Sequence, residues 1–302
     1  MPDTAAPAAP AATALTFSAD AEPLRLRRRP PHVHGYAWRQ PAPTASVVLV
    51  HGLQSHAGWF ADVADLLLAG GCSVYALDRR GSGSSPGVRG DVAHCGEWLD
   101  EIDDVVRLAR SEYPHAPVHL VGHCFGANLA LGCALFRRSA IRSLVLLTPG
   151  LHIQPRYDLG QRLRIAAAAV VAPSRRFRVP QDDELFTRDP DVLAWIRADT
   201  AGARTLTART VVQIQRMARR LRRELPGLGV PLLAIEAQND RISANARNRE
   251  ELGRALGGRW RAESFDAEHF LLAEACRDDV VDLILRWISA VSTTPHQGGT
   301  TW

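Results

Sequence analysis

Lysine is missing from this chain of 302 residues, so all 36 of its basic side chains are arginine. That excludes Schiff-base chemistry on lysine and any phosphate-binding loop that depends on one. Long apolar runs are missing too. The nearest approach, residues 165–172, falls far short of the ~18 apolar residues a membrane span needs, and no transmembrane segment is expected. The first sixteen residues, MPDTAAPAAPAATALT, lack the basic start and unbroken apolar core of a secretory signal, since Asp3 and three prolines interrupt them. A disordered tail is expected at 1–16 and a flexible one at 293–302. The five cysteines, at 72, 95, 124, 133 and 276, are odd in number and have no metal-ligand spacing. They argue for a reducing compartment, the cytoplasm, and against a disulfide framework or a zinc site. A formal charge of +4 is too small to imply nucleic-acid binding. No metal or redox cofactor is implied.

What is present is an alternation of short apolar runs with amphipathic helical patterns, which signals a parallel sheet with helices on both faces. The runs SVVLV (46–50), SVYAL (73–77), 118–121, 143–147, PLLAIEA (231–237) and 260–265 read as strands. Between them, helices are expected at 59–69, 98–112, 127–137 and 244–256, with a closing helix at 279–290. Residues 24–29 and 34–39 read as an antiparallel pair on the sheet edge. From 151 to 228 the pattern is helices and loops with no convincing strand, so an inserted helical cap is expected there. The core would then comprise 17–150 and 229–292.

Gly122-His123-Cys124-Phe125-Gly126 lies at a strand-to-helix turn and matches the G-x-nucleophile-x-G elbow, in which small residues let a strained nucleophile stand clear. The positive end of the following helix favours a thiolate at Cys124. Asp240 and His269 follow in the order nucleophile, acid, base, each just past a strand, so all three can converge at the carboxyl edge of the sheet. Backbone N–H groups of Phe125 and Leu53 are placed to form an oxyanion hole. His51 reads as a brace for that loop. His123 reads as structural, because side chains adjacent at a sharp elbow diverge.

The stretches LVHGLQSHAGWF, YALDRRGSGSSPGVRG, VHLVGHCFGANLAL, LFTRDPDVLAWIRAD, VPLLAIEAQNDRI and FDAEHFLLAE resemble the monoacylglycerol lipase and lysophospholipase-like branch of the α/β-hydrolases. The resemblance covers most of Ser46 to Trp287. It implies the α/β-hydrolase fold, a cap over an apolar acyl pocket, and the roles just assigned to Leu53, Phe125, Asp240 and His269. The family normally carries serine where Cys124 stands, Gly-Glu where Gln54-Ser55 stands, and glycine at Ala127.

A thiolate attacking an alkyl ester forms an intermediate that prefers to expel the thiolate again. Cys124 therefore suits donors with good leaving groups, and its thioester can pass the acyl group to acceptors other than water. The leading expectation is an acyltransferase or thioesterase working through acyl-Cys124. Its donor would be a small-molecule ester, acyl-CoA or an acyl carrier protein. One alternative is an esterase like the monoacylglycerol lipases. The other is a non-catalytic protein that holds a hydrophobic ligand. Trp59 and Phe60 are expected to wall the acyl pocket, and Leu159, Leu163 and Trp195 to line it from the cap. The arginines at 156, 162, 164, 175, 176 and 178, then 216, 219, 220, 222 and 223, read either as a solvated face or as a docking surface for an anionic partner.

Overall fold

Side chains alternate along the central strands, and the alternation assigns each residue to one of two cores. The computed structural model describes residues 18–26 and 32–293. Its ten strands are β1 (Glu22–Leu26), β2 (Val33–Trp38), β3 (Ala45–Val50), β4 (Cys72–Leu77), β5 (Val118–His123), β6 (Ser143–Leu147), β7 (Arg176–Arg178), β8 (Thr205–Thr207), β9 (Leu232–Ala237) and β10 (Trp260–Phe265). Eight form one sheet in the order β1-β2-β4-β3-β5-β6-β9-β10. Pairings from β4 through β10 are parallel, and β1 and β2 are added antiparallel at one edge.

On β3, Val48 and Val50 face one layer, with Leu120 of β5 and Leu144 of β6. Val47 and Leu49 face the other, with Val121 and Val145. Helices α1 (Ala61–Ala69), α2 (Gly96–Glu112), α3 (Phe125–Gly132), α4 (Leu159–Val171), α5 (Pro190–Ala198), α6 (Ala208–Glu224), α7 (Asn245–Leu256) and α8 (Arg277–Thr293) follow in chain order. The first layer packs on α2, α3 and α7, and the second on α1 and α8. Because both faces are covered there, β3, β4, β5, β6 and β9 are buried along their whole length, whereas the edge strands β1 and β10 carry exposed polar residues. No helix among the described residues is long and apolar enough to cross a membrane.

The chain between β6 and β9 carries α4, α5 and α6. It also carries a feature the sequence pattern did not suggest, since β7 and β8 pair as a two-stranded antiparallel ribbon. Three-residue strands reading RFR and TLT are too short and too polar to show a period. The edge pair expected at 24–29 and 34–39 forms two residues earlier and one residue earlier respectively, and residues 27–31 lie outside the described residues. The expected tails lie outside them as well, except Thr293, which ends α8.

Candidate active site

Cys124 sits between β5 and α3 with φ +53° and ψ −115°, a backbone region L side chains rarely adopt. Neighbours hold it there. Its N–H donates to the Leu147 carbonyl at 2.9 Å, and its carbonyl accepts from Ala127 and Gly150, each at 3.1 Å. A Cβ on Gly126 would lie 1.9 Å from the Val50 carbonyl oxygen, and one on Gly122 would lie 2.5 Å from that of Gly126. The elbow motif is thus a requirement for close packing of α3 on β3.

Asp240 follows β9 and His269 follows β10. The His269 Nδ1 lies 2.8 Å from Asp240 Oδ2 and 2.9 Å from Oδ1, and both side chains are fully buried. Asp240 Oδ1 also accepts from the Ile242 and Ser243 N–H groups, each at 2.7 Å, which fixes the carboxylate plane. Burial opposes charge on His269, but the Asp240 carboxylate and the Cys124 thiol outweigh it and raise its proton affinity above the ordinary histidine range. The other ring nitrogen, Nε2, is buried with no hydrogen-bond partner among the described residues. Cys124 lies close enough to His269 to favour its charged form.

The remaining histidines of the site behave oppositely. Burial, with Arg79 adding to it, drives His51 well below its usual range, and burial followed by the charge of His269 pushes His123 down to about 3. His51 accepts from the Arg79 N–H at Nε2, so its Nδ1–H is left to donate to the Gly52 carbonyl at 2.9 Å. The other carboxylates near His269 are engaged elsewhere. Glu268 pairs with Arg188 and Arg241, and Asp266 accepts from Asn239.

The N–H groups of Leu53 and Phe125 have no acceptor among the described residues. Phe125 opens α3, where the first N–H groups of a helix lack an intrahelical partner. The loop that carries Leu53 rests on a residue whose role the sequence did not disclose. The fully buried Arg79 guanidinium donates to the carbonyls of His51 and Gly52, the latter at 2.7 Å. It stacks 5.5 Å from the Trp98 ring and 5.6 Å from that of Phe125. Gln54, one residue past Leu53, donates its side-chain amide to the Gln181 carbonyl at 2.8 Å, tying the loop to the insert.

Residues 41–274 match the hydrolase family described as serine aminopeptidase, S33. The chain belongs to that family. A monoacylglycerol lipase of Mycolicibacterium smegmatis is 28% identical to this α/β-hydrolase over 224 residues, which is 68% of this chain and 74% of that protein. The human monoglyceride lipase is 27% identical over 204 residues, 66% of each chain. Among solved structures, a soluble variant of monoglyceride lipase from Saccharomyces cerevisiae superposes with a TM-score of 0.82 at 17% identity, covering 95% of this chain and 100% of that one. At that identity the likeness bears on the fold alone.

In this member of the family, a cavity of about 720 Å³ opens over Cys124. Leu53, Phe125 and Asn128 form its floor, and Val179, Leu206, Val211 and Ile214 of the insert cover it. None of the five side chains expected to line the pocket does so. Trp59 and Phe60 are core residues, and Trp59 packs against Phe186, Trp195 and Phe270 beneath the site. Trp195 is occupied in that stack. Leu159 and Leu163 lie 70% and 64% exposed, because α4 turns Ile165 and Ala168 inward instead. Their apolar character suggested an inner face, but a helix has only one, and its phase depends on tertiary packing. The arginine-rich stretches also divide. Arg156, Arg162, Arg219 and Arg222 line the cavity, whereas Arg178 and Arg223 meet carboxylates and Arg175 and Arg220 lie over Phe177 and Phe136.

Proposed function

We propose that this chain is a carboxylic ester hydrolase that works through an acyl-Cys124 intermediate. The observation that carries the reading is the buried, unpartnered Nε2 of His269 beside Cys124, with Nδ1 held by Asp240. In the proposed sequence, Cys124 passes its proton to Nε2 as sulfur adds to the ester carbonyl carbon. The oxygen of the tetrahedral intermediate takes hydrogen bonds from the Leu53 and Phe125 N–H groups. Collapse breaks the bond to the leaving alcohol, which takes the proton from His269 and departs. Water, deprotonated by His269, attacks the thioester and releases the acid, and the sulfur recovers the proton. Asp240 keeps the imidazole in the tautomer with its Nδ1–H donating and stabilises its charged form. The insert from β6 to β9 acts as the cap over this chamber, and the five free cysteines fit a reducing, cytoplasmic setting.

The substrate class rests on the relatives named as monoacylglycerol lipases and on the apolar floor and roof of the cavity. A second reading, transfer of the acyl group from a thioester to an acceptor other than water, is favoured by one observation, the thiol at the elbow. A thioester donor has a leaving group matched to a thiolate. Both readings are tested by intact-protein mass after mixing with octanoyl glycerol or an octanoyl thioester. The expected result is an octanoyl adduct that maps to Cys124 and is absent in Cys124→Ala. Discharge at a rate independent of added amines, alcohols and thiols is expected for a hydrolase, and acceptor-dependent discharge marks a transferase. Ester turnover persisting in folded Cys124→Ala would sink the assignment.

A further inference from the structure

In the turn that follows β6, three successive carbonyls each accept a hydrogen bond from a different buried side chain. Ser243 Oγ donates to the Thr148 carbonyl at 2.9 Å, Asn248 Nδ2 to that of Pro149 at 2.7 Å and Asn128 Nδ2 to that of Gly150 at 2.9 Å. The donors come from the loop after β9, from α7 and from α3. Such a grip holds strain in place. Thr148 is β-branched and fully buried, yet its φ is +41°, a region in which such a residue is an outlier. A conformation of that kind persists only where its surroundings over-determine it, and it clusters at functional sites.

What the turn achieves is the delivery of Gly150 to the elbow. The Gly150 N–H donates to the Cys124 carbonyl at 3.1 Å. A Cβ on Gly150 would stand 3.2 Å from the Cys124 carbonyl oxygen and 3.4 Å from the Phe125 nitrogen. At its other end the turn meets Ser243, whose own N–H donates to Asp240 Oδ1 at 2.7 Å. Ser243 therefore holds the acid with its backbone and the support of the nucleophile with its side chain. In the sheet order β5-β6-β9, this turn lies between the strand that ends at Cys124 and the strand that leads to Asp240.

We infer that Ser243 is a positioning residue, whose hydroxyl holds the turn at 148–150 so that Cys124 keeps register with the Asp240–His269 pair. The inference rests on the ester-hydrolase reading for the roles of the three residues it joins. Without the hydroxyl, the Thr148 carbonyl is buried and unmet while the strain in the turn remains, and both drive the turn away from the elbow. Ser243 does not line the cavity. Its loss should therefore fall on the rate of acylation and not on substrate affinity.

The test is a double-mutant cycle between Ser243→Ala and Asp240→Asn. It is read as the single-turnover rate of acyl-Cys124 formation from an octanoyl thioester, by intact-protein mass, with thermal unfolding followed in parallel. Ser243→Ala alone should slow acylation about tenfold, the weight of one buried hydrogen bond. The thioester concentration giving half-maximal rate should stay within about twofold of the parent's. Register against His269 matters only while Asp240 keeps it a working base. In Asp240→Asn the same substitution should therefore cost less than about twofold. A hydroxyl that merely supports the fold would lower Tm and slow both backgrounds alike, and that additive outcome overturns the proposal. So does an unchanged rate in folded Ser243→Ala. If Ser243→Ala does not fold, the cycle is run in a Thr148→Gly parent, where glycine takes φ +41° without strain. No octanoyl adduct on Cys124 in the parent overturns the acyl-enzyme reading itself, and the coupling with it.

Discussion

Replacing Arg79 by methionine separates stability from catalysis. The side chain keeps an apolar stem, is two atoms shorter, and loses its donors and charge. Burial pulls the guanidinium down from 12.5 to about 9, even with Glu101 and Asp78 nearby to favour its charge. Because the folded-state value of this base is depressed, the charged form opposes folding at neutral pH, by roughly 5 kcal/mol. Against that stand two charge-assisted hydrogen bonds to the His51 and Gly52 carbonyls. Leaving each oxygen unmet costs about 1–3 kcal/mol. The opposing contributions are of similar size, so Arg79→Met should shift Tm by only a few degrees. Activity should not be spared. The carbonyls that Arg79 grips belong to the two residues preceding Leu53, so their release should loosen the N–H that the proposed mechanism assigns to the oxyanion. Deleting one oxyanion donor outright costs about 100- to 1,000-fold in kcat. Displacing one should cost about 10- to 100-fold, and the loss should fall on kcat more than on KM. The assay is steady-state hydrolysis of an octanoyl ester, with thermal unfolding followed in parallel. A kcat within threefold of the parent at unchanged Tm would refute the reasoning, and so would a loss confined to KM.

His119 is buried against Ser143 and is pushed down to about 3, by burial first and then by Arg142. Between that value and the unfolded value near 6.5, the unfolded chain holds a proton the folded one does not, so stability falls with falling pH. His119→Gln should flatten the slope by roughly 1.4 kcal/mol per pH unit from pH 6 to 4 in urea titrations, and an unchanged slope would contradict it. Phe60→Ala should cost about 3–5 kcal/mol as a cavity in the core. Leu163→Ala, on the outer face of α4, should stay within about 0.5 kcal/mol and leave KM for the octanoyl ester unchanged, as urea titration and steady-state kinetics would register.

The sheet was legible because strands buried on both faces are written as unbroken apolar runs, and SVVLV and PLLAIEA could be little else. The positions of Cys124, Asp240 and His269 were legible for a related reason, since each follows a strand and strand ends share one edge. The chamber above them was not. Its lining depends on how the insert folds back, and Val179, Leu206 and Ile214 meet there from separate elements with no common period. Trp59 is adjacent to the oxyanion turn in sequence yet points into the layer beneath it, where an aromatic cluster claims it. Arg79 was overlooked because a charged residue in a glycine-rich turn reads as solvated surface, and only the fold reveals that the turn is roofed by Trp98 and Phe125.

The tie between Gln54 and Gln181 has a further consequence. Gly202 of the insert lies so near the Gln54 carbonyl that a Cβ there would come within 1.8 Å of the oxygen, so the side chain and the backbone of the same loop residue both touch the insert. Under the proposed mechanism, a hinge motion of the insert that admitted a bulky acyl chain would drag on the strap that presents the Leu53 N–H. Loading and bond-making would then be alternating postures of one clutch, engaged when the insert is seated and slack when it swings out. Water entering during loading would meet an idle site.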